Sequence, residues 1–204
     1  MDAGHDDMRI ALSGAQGTGK TTLMNELKSG SFLPHYTFYD EVVRNLVKRT
    51  GISINREADD YSQTAITNEQ VRLASETSFN TPNAFFDRCI VDSHAFTIFD
   101  HINKQISEKV YMYSREMLKM VFTYFPYDMV IYIPPKIQLV EDGVRDTDVR
   151  YRNEIDQIMF KSLNYNNSIQ SSPTKIYTLT EISVQGRIKE ILNNMEEVNE
   201  IKSS

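Results

Sequence analysis

The spacing of apolar residues changes period repeatedly along the chain, and those changes mark its elements. Residues 8–12 (MRIAL) are a short apolar run closed by a glycine-rich turn, which predicts a buried strand. Leu23, Met24 and Leu27 then recur at helical spacing over residues 20–28. Residues 36–39 are aromatic and β-prone, and residues 40–48 turn helical with Val43, Leu46 and Val47 on one side. Residues 57–79 are polar but hold no Gly or Pro, so they predict one or two helices. The apolar runs 83–86 and 89–91 flank an Asp-Arg pair, and predict a strand ending near Asp87. Two helices follow over 94–106 and 107–125, then the clearest buried strand, 128–133 (DMVIYI), stopped by Pro134 and Pro135. Ile155, Ile158 and Met159 give a helix over 148–163, and the chain finishes with a strand at 175–179 and a helix at 181–198. Strands alternating with helices imply an α/β fold: a parallel sheet covered on both faces.

Composition narrows the picture. The chain has 204 residues, 40% of them hydrophobic, which suits one domain with its own core and argues against global disorder. There is no repeat, low-complexity block or Pro/Gly linker, so residues 1–204 read as one domain carrying a short lid at about 141–152. With 28 acidic against 22 basic residues the net charge is -6. That balance speaks against a broad face for coating nucleic acid, and leaves room for a small basic cleft. The one cysteine, Cys89, forms no internal disulfide, so nothing suggests an oxidising compartment. Apolar runs are far shorter than the roughly 20 residues a membrane helix needs. Residues 1–7 carry three aspartates and no basic segment, unlike a signal peptide. A cytoplasmic location and no membrane partner are the expectations.

The chemistry concentrates in Gly14-Ala-Gln16-Gly17-Thr18-Gly19-Lys20-Thr21, which fits G-x-x-x-x-G-K-[ST] at every fixed position, between a predicted strand and a predicted helix. Glycines let successive backbone N–H groups turn inward onto phosphate oxygens, and the following helix adds its positive N-terminal end. Lys20 is expected to reach the β- and γ-phosphates, Thr21 to hold Mg²⁺, and Gln16, Thr18 and Thr22 to complete the cradle. The only Asn-Lys pair, Asn103-Lys104, lacks the aspartate of a guanine-reading Asn-Lys-x-Asp, so ATP is the expected donor.

Function then depends on what else converges at the carboxyl ends of the strands. Asp87, closing a predicted strand, would hold Mg²⁺ directly or through water, and Arg88 would grip an acceptor. Glu41 opens a helix, with Arg44 three residues on and on the same side. Glu41 would act as general base on an attacking hydroxyl while Arg44 orients the acceptor; Asp40 is the rival base. Arg72 is a further clamp for a phosphate acceptor. Asp92 and His94 would face the acceptor. Between Asp142 and Arg152, charges of both signs crowd a glycine-containing segment, with Arg145 the candidate to close over the transferring phosphoryl group. The four His and one Cys show no metal-ligand spacing, so Mg²⁺ arriving with the nucleotide is the expected metal.

The ordered set formed by the 14–21 loop, Glu41-x-x-Arg44, Asp87-Arg88, Asp92 and Asp142-Gly-Val-Arg145 resembles the NadR-like AAA-type P-loop kinase family. That family includes ribosylnicotinamide kinase domains and small phage kinases, close to the thymidylate and deoxynucleoside kinases. The resemblance covers about residues 9–192. It implies a five-stranded parallel sheet in the order 2-3-1-4-5, and transfer of the γ-phosphoryl group of ATP to a nucleoside or nucleotide. It also implies the host cytoplasm if the chain is phage-encoded. It supports Lys20, Thr21, Asp87, Arg88 and Arg145 in the roles above, and Glu41 as the family's acidic position after the second strand. Two other readings stand beside it. One is a kinase for a hydroxymethylated base in phage DNA, with Lys104, Lys109, Arg115 and Lys119 as a basic track. The other is a non-catalytic, nucleotide-dependent binding module.

Overall fold

The structure is a computed structural model that describes residues 7–40, 42–136, 148–169 and 174–202. In chain order the elements are β1 (Arg9–Ser13), α1 (Lys20–Ser29), β2 (Thr37–Tyr39), α2 (Val42–Thr50), a 3-10 turn (Asn55–Glu57), α3 (Asp60–Asn80) and β3 (Ala84–Phe86). They continue with α4 (Ile90–Ile102), α5 (Glu108–Tyr124), β4 (Met129–Tyr132), α6 (Val149–Ile169), β5 (Lys175–Thr178) and α7 (Val184–Lys202). The strands form one parallel sheet in the order β2-β3-β1-β4-β5, as the resemblance implied.

Strand β1 explains the layers. All five of its residues are buried, and alternate side chains go to opposite faces. Ile10 and Leu12 join Leu23, Met24 and Leu27 of α1 with Ile188, Ile191 and Val198 of α7. Ala11 joins Leu73 and Ala74 of α3 with Leu118, Val121 and Phe122 of α5. Each fully buried side chain of this size contributes about 1.5–3 kcal/mol of transfer free energy. Two smaller clusters seat α6 on α4 (Tyr151, Ile155 and Met159 against Ala95) and α2 on α3 (Leu46 and Ile52 against Ile66).

One helix start differs from the pattern-based expectation. Of the one or two helices expected over 57–79, one forms: α3 runs Asp60–Asn80, and its N-cap Asp59 accepts from the Ser62 backbone N–H at 2.8 Å. Strand β3 ends just before Asp87 as expected, but the helix expected from residue 94 begins earlier, α4 starting at Ile90. Every residue from Ile90 to Ala95 is buried, so this helix start shows no polar face to give it away. The expected lid is described only from residue 148 onward, and residues 137–147, with Arg145, lie outside the described residues. Among the described residues, no helix is long and apolar enough to cross a membrane.

Candidate functional site

The loop between β1 and α1 has the predicted form. Gly17 and Gly19 take positive φ values of 72° and 88°, the left-handed region that favours glycine. Gly14 is required for a different reason: a Cβ there would lie 2.6 Å from the carbonyl oxygen of Ile133, where the end of β4 crosses the loop. Thr18 is fully buried and donates its hydroxyl to the Ala15 carbonyl at 3.1 Å. Lys20 opens α1 and is only 6% exposed. Its ammonium donates to the Gly14 carbonyl and, at 2.8 Å, to the Ala15 carbonyl. The cation is therefore held over the cradle by the loop itself.

A groove opens from this loop. Its walls include Gln16 to Thr21, Tyr39 at the end of β2, Val43 and Arg44 of α2, Asp87 and Arg88 after β3, and Phe96 of α4. Sequence-distant residues thus meet at the carboxyl edge of β1, β2 and β3, where parallel sheets hold their ligands. Lys20, Arg44 and Arg88 gather three positive charges on a chain of net charge -6. Asp87 is fixed by its backbone N–H, which donates to the Tyr39 carbonyl at 3.0 Å. Its Oδ1, and both amide atoms of Gln16, are buried without a hydrogen-bond partner among the described residues. Leaving such groups unsatisfied costs about 1–3 kcal/mol each, so Gln16 and Asp87 bring polar atoms with unmet hydrogen-bonding capacity to the groove. The hydroxyl of Thr21 and the carboxylate of Asp87 are hard oxygen donors on one groove, a set that fits Mg²⁺ carried by phosphates.

Several candidates fall elsewhere. Thr22 is exposed and does not line the groove. Arg72 is engaged by carboxylates of its own helix, Glu69 and Glu76, and is not among the groove residues. Asp40 pairs with Lys28 of α1 at 2.5 Å and is not among the groove residues. Glu41 lies outside the described residues. His94 is buried, with Nδ1 2.9 Å from the Ser114 hydroxyl, and burial holds its pKa down at about 4. Within the proposed basic track, Arg115 and Lys119 both pair with Glu116, so the positive stripe is broken by a carboxylate.

Asp92 lies beneath the groove instead of facing it. It is 1% exposed and accepts from the Ser13 hydroxyl at the end of β1 at 2.5 Å, while Arg88 approaches its other oxygen at 3.8 Å. Burial pushes its pKa up to about 6, even though Lys20, Arg88 and Ser13 favour the anion. The folded chain therefore binds this proton more tightly than the unfolded chain. The resulting penalty grows as pH rises from about 4 to 6 and is fully present above that. An Asp92→Asn variant is expected to stabilise the ligand-free chain by up to about 3 kcal/mol above pH 6, with the gain fading toward pH 4. Urea unfolding of both chains at about pH 7.5 and 4.5 checks this; a gain that does not shrink at low pH refutes it.

The groove continues into an apolar recess that sequence reading did not find. Val43, Ile54, Asn55 and Ile66 surround it, together with Gln63 and Gln70 of α3 and Ser93 and Phe96 of α4. Arg88 stands at the junction, lining both cavities. Gln63 is locked: its amide N–H donates to buried Asp100 at 2.6 Å and its carbonyl accepts from Thr97 at 3.3 Å. Gln70 is 3% exposed and lines both cavities. No motif marks these residues. The only signal was polar positions recurring seven apart, which a surface helix also shows.

The likeness to known proteins agrees with this geometry. The family model described as AAA domain (AAA_28) matches residues 9–169. Comparison with curated protein sequences finds no match. Among solved structures, the NadR protein in complex with NR is similar with a TM-score of 0.69 and 16% identity, over 93% of this chain and 50% of that one. This chain thus spans half the length of the NadR chain. Deoxyadenosine kinase from M. mycoides with bound dCTP matches with a TM-score of 0.58 and 16% identity, over 93% of this chain and 100% of that one. Thymidylate kinase from Candida albicans matches with a TM-score of 0.58 and 12% identity, over 95% of this chain and 94% of that one. At these identities the likeness is one of fold. The family match is broader evidence: since it takes in the phosphate loop, four of the five strands and every groove residue named above, the chain belongs to the AAA_28 family of AAA domains.

Proposed function

We propose that this chain is a phosphotransferase that moves the γ-phosphoryl group of ATP to a nucleoside or nucleotide. The observation that carries the reading is the continuity of the phosphate loop with the recess behind Arg88. One end offers backbone amides and Lys20 to phosphates; the other offers an apolar slot with Phe96 on its wall and the amide of Gln70 at its side. An aromatic face and a carboxamide suit a planar ring with hydrogen-bonding edges, which is what a nucleobase presents. The NadR, deoxyadenosine kinase and thymidylate kinase structures share this fold.

In the reaction, an acceptor oxygen attacks the γ-phosphorus and the bond to the bridging oxygen of ADP breaks. Lys20 and the loop amides stabilise charge on the phosphoryl oxygens, and Arg88 and Arg44 hold the acceptor beside them. Thr21 and Asp87 would hold Mg²⁺, which when bound neutralises the β- and γ-oxygens. Glu41 would take the proton if the acceptor is a hydroxyl, and a monophosphate acceptor needs no base. Arg145 would add charge from the lid.

The test is transfer of labelled γ-phosphate from ATP to a panel of nucleosides, monophosphates and hydroxymethylated DNA. Product on a nucleoside or monophosphate is expected. Product on DNA alone would favour the modified-base reading, and no product despite ATP binding would favour the binding module. A Gln70→Leu variant is expected to raise the acceptor KM by about 10–100-fold, since a lost hydrogen bond to a base edge costs about 1–3 kcal/mol. The KM for Mg·ATP should not move. An unchanged acceptor KM would remove Gln70 from recognition.

A further inference from the structure

Arg187 lies on α7, about 170 residues from the phosphate loop, yet its side chain reaches that loop. The residue is 2% exposed. Its Nη1 donates to the Thr18 carbonyl at 2.7 Å, and its Nε donates to the Glu181 carbonyl at 3.0 Å. One guanidinium thus bridges the loop after β1 and the turn between β5 and α7.

That turn is itself firmly held. The Glu190 carboxylate accepts from the Thr180 backbone N–H at 2.9 Å, the Thr180 hydroxyl at 3.0 Å and the Glu181 N–H at 3.1 Å. Lys136 donates to the Thr180 carbonyl at 2.8 Å, and the Ser183 hydroxyl caps α7 by accepting from the Gly186 N–H at 3.1 Å. Arg187 therefore ties the loop to a turn that these bonds hold in place.

The consequence follows from peptide geometry. The peptide linking Thr18 and Gly19 is planar and trans, so its carbonyl and its N–H point in opposite directions. A carbonyl drawn toward α7 turns the Gly19 N–H away from α7, and Gly19 lines the groove. Gly19, at φ 88°, permits this orientation without selecting it, because glycine reaches many others at similar cost. We infer that Arg187 is a positioning residue that sets the orientation of the Thr18–Gly19 peptide, so that the Gly19 N–H is presented to nucleotide phosphate before the nucleotide arrives. The inference rests on reading the loop as a phosphate cradle. It adds a remote residue that no loop motif contains, and it is a case of donors preorganised by the fold.

Calorimetric titration of the native chain, Arg187→Met and Arg187→Lys with Mg·ADP tests it, alongside thermal melting without nucleotide and KM for the acceptor. The methionine variant is expected to bind Mg·ADP about tenfold more weakly or worse, as loss of a hydrogen bond from a charged donor implies. The acceptor KM should stay at its native value. Lysine, whose single ammonium cannot reproduce two divergent guanidinium bonds, should recover part of the affinity. Variants that melt earlier but bind Mg·ADP as tightly as the native chain overturn the assignment, because a purely structural arginine would behave that way. If the methionine variant does not fold, the lysine variant decides: native affinity overturns the assignment and weakened affinity supports it. The two failures separate, since a native chain that binds no Mg·ADP removes the phosphate-cradle reading itself.

Discussion

Replacement of Lys20 by methionine is expected to lower the rate of phosphoryl transfer at saturating substrates by about 10³-fold, the scale on which single preorganised charge-stabilising donors act. The side chain is only 6% exposed, and its ammonium already rests on the carbonyls of Gly14 and Ala15 at the mouth of the cradle. Methionine keeps the length and the apolar stem, so the packing of α1 against β1 should survive while the charge is lost. Steady-state kinetics together with a melting curve separate the two effects. A folded variant within about tenfold of the native rate would show that the loop binds nucleotide without using this lysine in the transfer step.

Asp87→Asn should have the second largest effect. The carboxylate stands at the carboxyl end of β3, its backbone pinned to β2, with one oxygen buried and unpartnered on the groove. Asparagine preserves the shape and removes the charge that would hold Mg²⁺. A 10–100-fold loss of activity at low Mg²⁺ is expected, on the scale of losses seen when groups supporting a metal are changed. Raising Mg²⁺ should restore part of that loss. A deficit that ignores Mg²⁺ concentration would point to Asp87 acting on Arg88 or the acceptor instead. An unchanged rate at every concentration would remove it from the site.

Ser13 and Asp92 show how far local pattern could carry the reading. An acid shortly after Asp87-Arg88 looked like a wall of the acceptor site. The helix beginning at Ile90, however, rotates Asp92 inward onto the hydroxyl at the end of β1. That rotation depends on where α4 starts, and its first turn is buried all round, so the amphipathic pattern that normally fixes a helix start was missing. Arg72 failed for a simpler reason. A lone arginine on a polar helix reads as a free cation, but Glu69 and Glu76 lie one turn away on either side and engage it. Asp40, the rival base of the sequence, pairs with Lys28 of α1, a partner that local pattern does not link to it.

The parts that sequence alone determined are those whose chemistry is contiguous. The phosphate loop is one: eight consecutive residues carry the glycines that allow the tight turn, the lysine and the hydroxyl, so its chemistry is readable from them alone. The alternation of strands and helices is another, because the inner strands of a covered parallel sheet are buried on both faces and read as short, largely apolar runs. Tertiary structure alone decided the recess of Gln70 and Phe96 and the bridge from Arg187 to Thr18. These residues stand on α3, α4 and α7, and a glutamine or an arginine on a helix is ordinary until packing buries it. What selects them is the folded geometry that takes them out of water and turns their polar atoms toward the groove and its loop. No short stretch of sequence encodes that, because it is set by helices from both faces of the sheet packing near its carboxyl edge.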